Sequence, residues 1–306
     1  MAYMTNNNNL HSHKNHDDEI DIGLLLHIIW QGRLLIFVLT AIFSIIAVIY
    51  SLSLSNIYQS KALLSSVNED SGINIGSNSG LASIAGINLS SQQGGNSVKA
   101  LEKIKTLSFF EQNILPNIFL PDLMAIDAWN EDTNTISYNQ DNFNLESKSL
   151  IEIPTAQESF KVFMSQLDLS QHHLTGFITI SVKHQSPYIA KEWTELVINE
   201  INNFFRTKDK AEAQKALEFL NSQIAQTSYT EIKQVIAEII QQKMKQLTLI
   251  EANEFYVFSY IDPPAVMEEK IEPRRSSISI LGAVIGLVSS ILIILIRQFI
   301  SGRSKE

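Results

Sequence analysis

Few residues in this sequence are arranged as covalent chemistry would need them. The chain contains no Cys, which excludes disulfide bonds, thiol catalysis and Cys-ligated metal sites. It also has no phosphate-binding G-x-x-x-x-G-K-[ST] loop, no H-E-x-x-H zinc motif and no G-x-S-x-G motif of a serine hydrolase. His172 and His173 lie beside Leu174 in a predicted turn, and the carboxylates are spread over helical faces. We therefore predict that the protein is not an enzyme and has no catalytic residues, no metal site and no cofactor.

The charge balance excludes one further class of function. The 306 residues include 23 Lys and Arg against 32 Asp and Glu, which gives a formal net charge of −9. A nucleic-acid-binding protein needs a basic face to neutralise phosphates. We therefore expect no nucleic-acid partner.

Two runs without any charged residue define the organisation of the chain. Residues 34–54 contain 14 Leu, Ile, Phe and Val residues, and residues 278–296 contain 13. Both reach the length of about 18 apolar residues that crosses a bilayer. Buried core helices are the alternative, but these are usually shorter and show a polar face. A cleaved signal peptide would need a short apolar region after a basic start. Here an acidic tail of 33 residues comes first, so we predict two transmembrane helices.

Small residues mark one face of the second run. Gly282 and Gly286 form a G-x-x-x-G pattern, and Ser290 extends the same face by one more turn. Without bulky side chains, helix backbones approach closely in lipid. We expect these residues to pack either on the first transmembrane helix or on another subunit.

The segment before the second run is the other candidate site. Pro273, Arg274 and Arg275 stand where the chain is predicted to enter the membrane. They are expected to orient the helix, to contact lipid phosphates, or to act as an interfacial anchor.

Residues 55–277 are too numerous for a loop. Their sequence patterns predict a folded domain with strands at 56–67, 176–183 and 255–261. Shorter helices are predicted at 98–115 and 159–169, with a polar loop at 127–148. Residues 187–252 read as one long helix or as a hairpin that turns near 227–230. A mixed α/β base with long projecting helices follows from this order of elements.

Residues 68–96 form a stretch rich in Gly, Ser and Asn that nevertheless contains an apolar patch. A simple linker would not need Leu81, Ile84 and Gly86 in this arrangement. We expect the patch to make a contact within the loop or between subunits of an oligomer.

Several blocks, in this order, resemble the Wzz family of polysaccharide chain-length determinants, also called polysaccharide co-polymerases. Residues 21–24 precede the first run, and residues 80–86 lie in the Gly-rich stretch. Residues 100–105 with Phe109 and Phe110 open the first predicted helix, and residues 176–182 with Ser186, Pro187, Ala190 and Trp193 span one strand and the helix after it. Residues 262–264 and 273–275 precede the second run. Residues 267–272 depart from the family pattern because they contain no Pro. Ten residues follow the second run without a nucleotide-binding motif, so the resemblance is to the short, non-kinase type.

The resemblance implies an α+β membrane protein of the bacterial inner membrane. Basic residues near the ends of the two runs number five on one side and four on the other, which indicates orientation only weakly. The resemblance places both termini in the cytoplasm and the central domain in the periplasm. The expected division is a tail and interfacial helix at 1–33, transmembrane helices at 34–54 and 278–296, the periplasmic domain at 55–277, and a second tail at 297–306.

The resemblance also implies a function without catalysis. We expect a scaffold that assembles into a homo-oligomeric ring and regulates the modal length of O-antigen or a related surface polysaccharide. Its implied partners are a membrane-embedded glycan polymerase, the lipid-linked polysaccharide and the bilayer. A structural role in the export of capsule or another polysaccharide is the alternative.

Overall fold

The structure, a computed structural model, describes residues 30–67 and 95–303. The chain divides into two compact units, Ser55–Pro273 and the pair of flanking segments that end at Leu54 and begin at Arg274. We call them the central unit and the helix-pair unit. The patch predicted at Leu81, Ile84 and Gly86 lies outside the described residues, as does most of the predicted tail and interfacial helix.

The described elements follow one another in chain order as α1 (Arg33–Ser53), β1 (Tyr58–Ser66), α2 (Gly95–Ile104), α3 (Leu120–Met124), β2 (Ile126–Asn130), β3 (Thr135–Tyr138), β4 (Phe143–Asn144), β5 (Ser149–Leu150), α4 (Ala156–Gln166), β6 (Leu167–Gln171), β7 (Ile178–His184), α5 (Pro187–Gln226), α6 (Thr230–Ala252), β8 (Phe258–Asp262) and α7 (Arg275–Arg303). The helix-pair unit contains α1 and α7, and all other elements belong to the central unit.

An antiparallel sheet in the order β6-β7-β1-β8 forms the base of the central unit. The three predicted strands correspond to β1, β7 and β8. On β7, Ile178, Ile180 and Val182 are completely buried, as their alternation with polar residues predicts. The fourth strand, β6, was predicted as the end of a helix. This prediction is wrong because α4 ends at Gln166 and the next residues pair with β7.

The helix predicted at 98–115 is also interrupted. The α-helix α2 ends at Ile104, and residues 107–117 form an α-turn, a π-turn and a 3₁₀ turn in succession. Thr106 causes the break, because its hydroxyl donates to the carbonyl of Lys103 at 2.7 Å and accepts from the N–H of Phe109 at 3.3 Å.

The polar loop predicted at 127–148 contains two small hairpins, β2–β3 and β4–β5. Their turns use Asn134 and Lys148, which have φ of 48° and 50°. Asn tolerates this left-handed conformation better than most residues. The Trp129 ring packs edge-on against Tyr58 of β1, with the ring centroids 5.4 Å apart. The hairpins are therefore ordered by aromatic contacts that a polar composition does not indicate.

The helical stretch at 187–252 is a hairpin of two helices. It turns at residues 227–229 between α5, which has 40 residues, and α6, which has 23. An ion pair between Lys210 and Glu251 joins the two helices, and the Arg206 guanidinium donates to the carbonyl of Asn253 at 2.8 Å. The hydroxyl of Tyr256 donates to Asp209 at 2.6 Å, and burial raises the pKa of this Tyr.

The core lies between the sheet and the first half of α5, which contributes Trp193, Val197 and Ile201. His184, buried at the end of β7, makes hydrogen bonds through both ring nitrogens. Its Nδ1 accepts from the N–H of Ser186 at 2.9 Å, and its Nε2 lies 3.0 Å from the carbonyl oxygen of Asp122. Burial lowers the pKa of His184, which favours the neutral ring.

Asn202 on α5 attaches β8 to the rest of the central unit. Its Oδ1 accepts from the N–H groups of Val257 at 2.8 Å and Phe258 at 2.9 Å, and its Nδ2 donates to the carbonyl of Phe258 at 3.0 Å. Asn202 and both of its partners are buried. The side chain therefore bonds three backbone groups at the start of an edge strand.

We expect Asn202→Ala to lower the free energy of unfolding by about 2–4 kcal/mol, because unpaired buried polar groups are costly. Thermal or urea unfolding of the full-length protein in detergent micelles would measure this loss. Asn203→Ala is the matched control, because Asn203 is exposed on the same helix and should change stability by less than about 0.5 kcal/mol. Equal effects of the two substitutions would contradict the role given to Asn202.

Candidate functional site

Two features that were predicted from the sequence form the candidate site: the pair of apolar helices and the segment that leads into the second of them. Both helices are long and apolar enough to cross a membrane, over Arg33–Ser53 and Arg275–Gln298. Their outward side chains are not covered by this chain; Leu34 is 75% exposed and Phe37 is 77% exposed. The described parts of α1 and α7 are therefore not core helices of the fold.

The helix backbones approach most closely at the two predicted glycines. A Cβ atom added at Gly282 would lie 2.3 Å from the Cβ of Ala47, and one added at Gly286 would lie 2.9 Å from the Cβ of Phe43. Any larger residue would force the helices apart. Of the two partners that the sequence left open, the structure brings these glycines against the first apolar helix of the same chain.

Ser290 and Gly32 continue this contact toward the other end of the pair. Ser290 is completely buried, and its hydroxyl donates to the carbonyl of Leu287 at 2.7 Å. A Cβ at Gly32 would lie 2.3 Å from the Cδ1 of Ile294. Since Ala47 faces Gly282 and Gly32 faces Ile294, the two helices run antiparallel. Sequence analysis missed Gly32 because it lies outside the uncharged run.

Two of the four Ser and Thr hydroxyl groups on α1 bond to the helix backbone. Ser44 donates to the carbonyl of Thr40, and Ser53 donates to that of Tyr50, both at 2.8 Å. The hydroxyl oxygens of Thr40 and Ser51 are buried and have no hydrogen-bond partner among the described residues. Local hydrogen bonds therefore satisfy two of these four hydroxyl groups.

In the central unit, backbone pairing joins the first and last residues. The N–H of Ile57 donates to the carbonyl of Glu272 at 2.9 Å, and the carbonyl of Ile57 accepts from Ile271 at 2.9 Å. The Glu272 carboxylate pairs with the Lys183 ammonium on β7 at 2.7 Å. The points at which the chain enters and leaves the central unit are therefore held side by side. We call this contact the base clamp.

The predicted neck residues follow directly after the base clamp. Pro273 is the last residue of the central unit, and Arg274 is the first residue of the helix-pair unit. Arg275 is the first residue of α7, and its carbonyl accepts from the hydroxyl of Ser279 at 2.9 Å. Sequence analysis placed Pro273, Arg274 and Arg275 at this junction. It missed Glu272, Lys183 and Ile57, because their contacts join residues that are distant in sequence.

An aromatic group lies at the same end of β1 as the base clamp. The rings of Tyr58, Trp129 and Tyr188 form a row, with centroid distances of 5.4 Å and 6.3 Å. The hydroxyl of Ser55 donates to the carbonyl of Asp127 at 3.2 Å, which ties the β2–β3 hairpin to the start of the central unit. Burial raises the pKa of Tyr58, and Glu131 adds to this effect.

Metal binding finds no support in the described ranges. Within residues 30–67 and 95–303, no three His, Asp or Glu side chains lie close enough together to hold a metal ion.

A comparison with protein families matches one segment of the chain. A family model described as Wzz, chain length determinant protein, matches residues 18–111, which include α1, β1 and α2. The resemblance to the Wzz family is confirmed by this match. No curated protein matches the sequence.

Three solved structures are similar at low identity. A full-length bacterial polysaccharide co-polymerase is 13% identical, with 93% of this chain and 99% of that chain covered and a TM-score of 0.42. A fragment of WzzB, a polysaccharide co-polymerase from Salmonella Typhimurium, is 11% identical, with coverages of 71% and 100% and a TM-score of 0.24. A mutant of WzzBSF, the Shigella flexneri lipopolysaccharide O-antigen chain-length regulator, is 10% identical, with coverages of 70% and 99% and a TM-score of 0.19. Only the family match bears on the function of this chain.

We expect a disulfide to form within one chain when Gly32→Cys is combined with Ile294→Cys. A Cβ at Gly32 would lie 3.0 Å from Cγ1 and 3.4 Å from Cγ2 of Ile294, the two atoms bonded to the Ile294 Cβ, and a disulfide needs Cβ atoms about 3.5–4.5 Å apart. The native chain has no Cys. Any disulfide that mass analysis finds after oxidation of the full-length protein therefore comes from the two introduced Cys residues.

The control pair combines Gly32→Cys with Ile293→Cys, because Ile293 is exposed on the neighbouring side of α7. It should not cross-link at a comparable rate. Adding Gly286→Leu to the first pair should slow the reaction several-fold, because the added bulk separates the helices. A disulfide that joined two chains instead would contradict packing within the chain.

Proposed function

We propose that this protein regulates the chain length of a surface polysaccharide, such as O-antigen, without catalysing a reaction itself. The match of residues 18–111 to the chain-length-determinant family carries this proposal. That segment runs from the first apolar helix through β1 into α2, so it includes the part of the chain that connects the two units.

In this proposal, α1 and α7 cross the bacterial inner membrane and hold the central unit in the periplasm, with both termini in the cytoplasm. The exposed apolar side chains of both helices support the placement in lipid. Their antiparallel packing supports a common side for the two ends that connect to the central unit. The base clamp suits this arrangement, because it holds those two connections together.

Several copies then assemble into a ring through the central unit. Apolar side chains of the helical hairpin that this chain leaves exposed support the assembly: Phe219, Tyr229, Ile232, Val235 and Met244. A contact between two different faces of neighbouring subunits closes into a ring when its rotation allows. A single-chain mass in light scattering of the detergent-solubilised protein would contradict this part of the proposal.

The ring acts as a scaffold beside the membrane-embedded glycan polymerase, with the lipid-linked polysaccharide as its other partner. Pro273, Arg274 and Arg275 orient α7 and contact the polymerase or lipid phosphates. The patch of Leu81, Ile84 and Gly86 makes a contact within the loop or between subunits. The net charge of −9 does not favour an anionic glycan, so glycan contacts would use hydroxyl groups and aromatic faces.

The topology can be tested in sealed inner-membrane vesicles of defined orientation. We expect a protease to digest the central unit, which begins at Ser55 and ends at Pro273, only when the periplasmic face is accessible. The acidic N-terminal tail should be cut only from the cytoplasmic face. Digestion of the central unit from the cytoplasmic face would overturn the proposed placement.

The glycan length profile tests the function directly. A strain that lacks the gene should lose the modal distribution of glycan lengths on a gel, and the wild-type gene should restore it. We expect the double variant Gly282→Leu with Gly286→Leu to broaden or shift the distribution, because the helices can no longer pack closely.

The matched control replaces Val284 and Val288, which face outward on the same helix, with Leu. This variant should show the wild-type profile. If the strain without the gene instead loses surface glycan and accumulates it inside the cell, the protein serves export of capsule or another polysaccharide rather than length control.

A further inference from the structure

Residues of α1 and α7 line a groove on the helix-pair unit. It lies at the end of the pair where α1 begins, and its volume is about 360 Å³. Its lining residues are Trp30, Arg33, Ile36, Phe37, Thr40 and Leu287. We call it the Arg33 groove.

The Arg33 groove is polar at one end and apolar along the rest of its length. The guanidinium carbon of Arg33 lies 5.6 Å from the centre of the Trp30 ring, so the cation rests on the indole. From Arg33 to Thr40, the helix rises by about 10 Å, and the side chains of Ile36, Phe37 and Leu287 line this distance. The groove therefore offers a cation followed by an apolar wall about as long as part of an acyl chain.

Among the described residues of the helix-pair unit, no carboxylate lies near the charge of Arg33. Residues 30–54 and 274–303 contain neither Asp nor Glu. Arg33 is exposed, and a cation beside apolar surface favours an anion with a matching apolar portion. In the membrane placement proposed above, such a molecule is a lipid with a phosphate at the interface.

We propose that the Arg33 groove binds an anionic phospholipid. The phosphate pairs with the Arg33 guanidinium, Trp30 lies at headgroup depth, and one acyl chain lies against Ile36, Phe37 and Leu287. One cation matches the single phosphodiester of phosphatidylglycerol. A polyprenyl-pyrophosphate carrier would bring two phosphates to this single cation, so we assign the groove to the phospholipid.

The inference rests on the proposed membrane placement but not on length control. A lipid titration tests it separately from the glycan profile. The full-length protein in a non-ionic detergent would be titrated with phosphatidylglycerol or with phosphatidylcholine, and bound lipid would be counted by native mass spectrometry. We expect phosphatidylglycerol to bind at least about fivefold more tightly, because one Arg contributes about that factor at a lipid surface.

Two variants that remove the same charge give the sharpest comparison. Arg33→Gln should lose most of the preference for phosphatidylglycerol. Arg297→Gln is the matched control: Arg297 is an exposed residue of α7 that does not line the groove, and its loss should change the affinity less than twofold. Both substitutions are at exposed positions, so the variants are expected to fold.

Three results would overturn the proposal. The first is equal binding of the two phospholipids by the wild-type protein. The second is an equal loss in both variants, which would indicate a general charge effect. The third is displacement of phosphatidylglycerol by a much lower concentration of a polyprenyl phosphate, which would assign the groove to the carrier lipid.

Discussion

Backbone pairing between the two ends of the central unit is the constraint on which the rest of the arrangement depends. Ile57 exchanges hydrogen bonds with Ile271 and Glu272, at the beginning and end of the unit. Lys183 adds a charged contact, but both partners of this ion pair are partly exposed, and such pairs contribute little. The backbone bonds and the strand β1 that follows them therefore set the position of both connections.

The helix pair reaches its close contact by a different physical route. Lipid tails are as apolar as Leu, so burying apolar surface does not drive helices together in a bilayer. Close van der Waals contact takes that role, and it requires the small residues Gly32, Gly282 and Gly286 along one seam. The same seam leaves the bulky residues facing outward, as the proposed placement of the two helices in lipid requires.

The long hairpin carries the exposed apolar surface on which the proposed assembly depends. Trp193 and Val197 anchor the first half of α5 in the core, and Asn202 binds the start of β8. Beyond Asp209, helix α5 has α6 as its neighbour, and several apolar residues there remain exposed. The hairpin thus presents apolar surface that the described residues leave exposed, which supports the proposed assembly of several copies.

The sequence by itself determined the two apolar helices, the strands β1, β7 and β8, and the part of the glycine seam that lies on α7. Each of these depends on a short periodic pattern or on a long apolar run. The break of the first helix comes from local hydrogen bonds of the Thr106 hydroxyl that the helical pattern does not indicate. Only the tertiary structure decided the pairing of Ile57 with Glu272 and the order in residues 127–148. These depend on contacts such as Trp129 on Tyr58, between residues far apart in sequence. The hairpin shows the same limit: residues 227–229 are only weakly non-helical, and the contact of Lys210 with Glu251 distinguishes two packed helices from one long helix.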